Sequence, residues 1–128
     1  MLHRIITTIT ALLIAFSAIA ELLFPSKMLV FVGITSNPQT NFLLRTTAVA
    51  LIALLPSVWT ARHDANSPVS RSALLGIVAY MFLSSAVDFQ AFTQGIVNSM
   101  SVPSVAFRVL LGSAIIWLIV KGDSKQLD

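Results

Sequence analysis

From Ile5 to Phe24 the chain reads IITTITALLIAFSAIAELLF, an apolar run broken by only one charge, Glu21. At 1.5 Å rise per residue, about 20 such residues cross the hydrocarbon core of a bilayer. Working outward, three more runs of this kind follow, at about 42–61, 73–92 and 103–120. The chain has 128 residues, of which 56% are hydrophobic and 10% charged, with a mean hydropathy of +0.88. A soluble domain carries roughly 25% charged residues, so this chain could not cover itself with a wettable surface. The expected fold is all-α: one four-helix transmembrane bundle over residues 1–128, with the lipid bilayer as its first partner. None of the runs has the alternation that a membrane barrel strand needs.

Punctuation supports these limits. Pro25 closes the first span. Asn37-Pro38, a cap followed by proline at the first helical position, predicts that the second helix is nucleated ahead of its apolar run. Pro56 lies inside that helix, where a membrane bundle tolerates it if neighbours satisfy the freed carbonyl. His3, Arg4, the apolar run and Ala18-Ile19-Ala20 together imitate a secretory signal. The run is long for a signal and is read as a retained helix. Arg4, Arg62, Arg71, Lys121 and Lys125 fall on one side of the spans, and only Lys27 on the other. The positive-inside rule then expects both termini in the cytoplasm, of a bacterial inner membrane or of the eukaryotic endoplasmic reticulum. The net charge of +3 is explained by this topology, and no basic patch suggests nucleic acid.

Each span carries one ionisable residue: Glu21, Arg45, Asp88 and Arg108. Both acids come late in odd-numbered spans and both arginines early in even-numbered ones. Chain reversal therefore brings all four to one end of the bundle, about 5–10 Å inside the apolar layer. Charges at that depth usually turn inward and pair. A faint repeat follows the same plan: Ser17-Ala-Ile-Ala-Glu21 resembles Ser84-Ser-Ala-Val-Asp88, and Phe42-Leu-Leu-Arg45 resembles Val105-Ala-Phe-Arg108. Each half also has a glycine, Gly33 or Gly95, and then a proline, Pro38 or Pro103, in its loop. Two repeated hairpins are one reading of the fold.

Ser17 and Ser84 stand four residues before the two acids, on their helical faces, and Thr10 lies farther along the face of Glu21. Gly112, four after Arg108, allows close helix approach or leaves room for a ligand. Met28-Leu-Val-Phe-Val32 is too short to span and could lie flat as a lid over the cluster. Tyr80, Trp59 and Trp117 are expected to pack or to anchor at the interface. Metal binding is not expected, because His3 and His63 have no ligand at suitable spacing. The absence of cysteine excludes thiolate chemistry. No phosphate loop, nucleophile elbow or dinucleotide fingerprint is present.

With four spans, this length and an arginine opening a span in Phe42-Leu-Leu-Arg45-Thr-Thr, the chain resembles small DoxX-like membrane proteins. More loosely, it resembles the small polytopic tailoring enzymes of fungal polyketide and meroterpenoid pathways. The latter resemblance implies membrane-embedded acids that open epoxides or cyclise lipophilic chains, with Glu21 and Asp88 as candidates. The leading expectation is a cofactor-free enzyme on a lipophilic small molecule, performing epoxide opening, cyclisation or isomerisation. Glu21 and Asp88 would serve as acid and base. Arg45, Arg108, Ser17 and Ser84 would bind and stabilise charge. Three alternatives stand beside it: charge pairs that only pin the hairpins, a non-catalytic subunit in a homo-oligomer or larger membrane complex, and passage of protons or a small anion.

Overall fold

A computed structural model describes residues 2–63 and 67–124, and all five of its regular elements are helices. They are α1 (Leu2–Leu23), α2 (Pro25–Phe31), α3 (Pro38–Ala61), α4 (Pro68–Thr93) and α5 (Ser101–Ser124). All except α2 are long and apolar enough to cross a membrane. Helix α1 packs most extensively on α3, and α4 on α5, as two antiparallel hairpins. The hairpins join through α3 and α4, while α1 and α5 touch over a narrower strip. The expected four-helix bundle is the observed fold. Lys125, used in the orientation argument, and residues 64–66 of the middle loop lie outside the described residues.

The helices extend beyond the apolar runs because their ends are capped by polar groups. Asn37 opens α3: its side chain accepts from the Thr40 N–H, and its own N–H donates to Thr40 Oγ1, each at 2.9 Å. Ser67 does the same for α4, accepting from the Ser70 N–H at 3.2 Å. Pro38 and Pro68 occupy the first helical positions, where a missing N–H costs nothing. At the other break, Phe24 N–H still reaches the Ala20 carbonyl at 2.8 Å. Pro25 cannot continue that ladder, and α2 begins there at a new angle.

The packed core fills the middle of the bundle and the half nearer the termini. Ile14, Val58, Leu74, Ile77 and Ile115 are buried there, beside small Ala11, Ala18 and Ala61 that let the backbones approach. Thr7 and Thr10 are also buried, but each hydroxyl donates to its own helix, to the His3 and Ile6 carbonyls. That satisfies them without a partner helix. His3 Nε2 donates to the Ala61 carbonyl at 2.8 Å and ties the start of α1 to the end of α3. Outward faces are apolar: Phe16 is 75% exposed and Leu110 69%, as a lipid-facing surface requires. Near the terminal end, Arg62 stacks over Trp59 and Lys121 over Trp117, a basic and aromatic rim suited to a headgroup layer.

Candidate active site

At the opposite end the four long helices separate around a cavity of about 340 Å³. Ile14, Leu51, Tyr80 and Met81 form its inner end. Met28 and Leu29 of α2 close it from above, so the short apolar segment does act as a cover. Leu29 is buried, while Val30 and Phe31 on the outer side of α2 are exposed.

The cover is clasped from the other hairpin. Asn98, in the loop before α5, donates its backbone N–H to the Val32 carbonyl at 2.8 Å and its side-chain amide to the Phe31 carbonyl at 3.0 Å. Gly33 makes this possible twice over. Its φ of 88° is left-handed, so the Ile34 N–H can turn back to the Leu29 carbonyl and end α2. A Cβ at Gly33 would also stand 3.3 Å from Asn98 atoms. Gly95 ends α4 in the same way, with φ 72° and the Ile96 N–H bonded to the Ala91 carbonyl. The repeated glycines therefore share a local geometry.

Arg108 and Asp88 meet across the cavity. Arg108 Nη2 lies 2.7 Å from Asp88 Oδ2 and donates to Ser104 Oγ, one turn earlier on its own helix, at 2.9 Å. The two side chains keep 25% and 34% of their surface accessible, so the pair is not sealed. Among the described residues the guanidinium has no further partner.

Glu21 enters the same cavity from α1 and is treated differently. Its Oε2 is buried and accepts no hydrogen bond from any described residue. A buried carboxylate oxygen without a donor is costly. Ser17, one turn before Glu21, also lines the cavity as expected.

No known protein family, curated protein or solved structure matches this chain. Its chemistry has to be read from the site.

Two of the expected site residues are placed elsewhere. Arg45 does not join the cluster: it is exposed on the outer side of α3. Leu44 and Leu51, seven residues apart, line the cavity and mark the inner face of α3. Arg45 is one residue on from Leu44 and is therefore rotated by roughly 100° away from that face. Ser84 is also outside the cavity wall, its hydroxyl donating to the Met81 carbonyl at 3.2 Å. Thr10 is buried deeper in the bundle, away from the cavity. Gly112 serves close approach rather than space, since a Cβ there would meet the Phe82 ring at 3.0 Å.

Tyr80 and Ser104 were missed as site residues, and both line the cavity. For Ser104 a signal existed. Ser101, Ser104, Arg108, Leu111 and Ile115 follow one another at three- and four-residue steps, a single helical face. For Tyr80 there was none, because α4 is apolar nearly all round and its inner face cannot be picked by pattern. Among the described residues no group of histidines and acids is placed to hold a metal.

Proposed function

We propose that this chain is a membrane-embedded acid–base enzyme acting on a lipophilic small molecule held in the α2-covered cavity. The observation that carries the reading is the division between its two acids. Asp88 is engaged by Arg108, whereas Glu21, which lines the same cavity, has a buried Oε2 with no hydrogen-bond partner among the described residues. A cavity of about 340 Å³ is within the range of small-molecule sites, and mostly apolar walls with a few convergent polar groups are what such sites use.

In this reading Glu21 gives a proton to the substrate oxygen and Asp88 receives one from water or from a hydroxyl of the substrate. For an epoxide, the ring C–O bond breaks as the activated oxygen forms its bond to carbon, and the proton gained by Asp88 returns to Glu21 to reset the site. Arg108 opposes charge developing on the substrate oxygen, with its uncommitted N–H groups as donors. Isomerisation and cyclisation use the same two proton transfers. No redox cofactor is called for. The reading keeps the chain close in plan to DoxX-like proteins and in chemistry to small polytopic tailoring enzymes. It places both termini in the cytoplasm, consistent with Arg4, Arg62, Arg71 and Lys121 at the terminal end.

The test is turnover of a panel of terpenoid and long-chain epoxides by the protein reconstituted in liposomes, followed by mass spectrometry of the products. Glu21→Gln and Asp88→Asn should each abolish turnover while the helical circular-dichroism spectrum is kept. Full activity in both variants would overturn the mechanism.

A further inference from the structure

Arg45 is a cation at membrane depth on the outside of the bundle. It lies seven residues into α3, about 10 Å along the helix from Pro38. Among the described residues it has no ion pair or hydrogen bond. A charge facing lipid at such a depth needs a counter-charge or a route to the interface. Side chains on a helix lean towards its N-terminus, and for α3 that is the α2 end, where the membrane surface would lie. The guanidinium is thus directed at the headgroup layer.

Polar contacts and exposed apolar side chains lie on either side of it along α3. Asn41, one turn nearer the surface, exchanges hydrogen bonds with Ser26 (3.2 Å) and accepts one from Ser36 (3.1 Å). That contact brings the start of α2 against α3, with Lys27 next along the chain and held over the Phe24 ring at 5.4 Å. Both acids at this end, Glu21 and Asp88, line the cavity instead of this surface. Apolar side chains flank Arg45 along its face of α3: Phe42, three residues nearer the surface, is 68% exposed, and Val49, one turn deeper, 56%.

We infer that the Arg45 face of α3, with Lys27 on the adjoining α2, is a binding site for the phosphate headgroup of an anionic phospholipid. Charge complementarity selects the phosphate, and the adjoining apolar track selects a lipid over a free anion, because Phe42 and Val49 offer acyl-chain contact. The site is separate from the cavity and does not depend on the catalytic reading.

Native mass spectrometry of the detergent-purified protein tests this, using phosphatidylglycerol and phosphatidylcholine of matched chains as probes. Wild type should retain phosphatidylglycerol in preference to phosphatidylcholine. Arg45→Gln should weaken phosphatidylglycerol retention roughly fivefold, the factor expected for one basic contact to an anionic lipid, while Arg45→Lys should keep most of it. Lys27→Gln, on an exposed turn of α2, should give a smaller loss and supports the site even if Arg45→Gln fails to fold. The proposal is overturned by equal retention of the two lipids in wild type, or by unchanged phosphatidylglycerol binding in Arg45→Gln. A protein partner that co-purifies stoichiometrically with wild type and is lost in Arg45→Gln would overturn it too.

Discussion

The two hairpins are built to one plan and end in different chemistry. In α4–α5 the acid and the arginine, Asp88 and Arg108, meet at 2.7 Å across the cavity. In α1–α3 the equivalent residues part: Glu21 faces the cavity alone and Arg45 faces outward. The cause is phase, not depth. Arg108 sits on the line through Ser101, Ser104, Leu111 and Ile115, which is the inner face of α5. Arg45 sits one position off the Leu44–Leu51 line of α3, and one position on a helix is roughly 100°. That small offset leaves one carboxyl paired and one unpaired within a single cavity, which is the asymmetry an acid–base pair requires.

The comparison can be broken most forcefully at its two arginines. Arg108→Gln should lower turnover by about 10²–10³-fold, as loss of a charge-stabilising donor does, whereas Arg45→Gln should leave kcat within the error of the assay. Equal losses in steady-state kinetics would mean that the inside–outside distinction has no functional content. The same contrast should appear in stability. Arg108→Ala strands Asp88 and should cost about 1–2 kcal/mol, less than a fully sealed pair because both partners are partly accessible. Thermal unfolding in detergent would measure it.

The paired glycines sharpen the comparison further. Gly33→Ala and Gly95→Ala both force a Cβ into left-handed backbone, at about 1–2 kcal/mol each. Gly33→Ala should be the worse of the two, since Asn98 stands 3.3 Å from its Cβ position and nothing crowds Gly95. Reversal of that order would argue against the clasp. The smallest effect is expected from Asn98→Ala, which removes the side-chain bonds to the Phe31 carbonyl and from the Met100 N–H but keeps the backbone bond to Val32. About 1 kcal/mol of local stability is at stake. It should appear as faster hydrogen exchange in α2, the 32–36 segment and the turn at Met100 that precedes α5.

Much of this was legible in the residues. Four long apolar runs, with Asn37-Pro38 before one of them, give the helices, while α4 opens at Ser67-Pro68, ahead of its apolar run at 73–92. Pro25 and the short run after it give the cover. The depth of each charged residue follows from counting along its span, and for Glu21, Asp88 and Arg108 the inward direction follows as well. Arg45 defeated the reading because α3 has threonines, alanines and leucines on several sides, and no clear apolar face from which to judge its direction. Ser84 was misplaced by a similar margin, standing one residue before the buried Ser85.

The sequence by itself determined the four long helices and the end of the bundle near which the charged residues lie, because these depend on hydropathy and on the fixed rise of a helix. Which charges face one another was decided only by the packed bundle. In lipid, all sides of a helix can be apolar, so its rotation is set by contacts such as Gly112 on Phe82 and Asn98 on α2. The pairing of Asp88 with Arg108, the solitude of Glu21 and the outward turn of Arg45 all follow from those rotations.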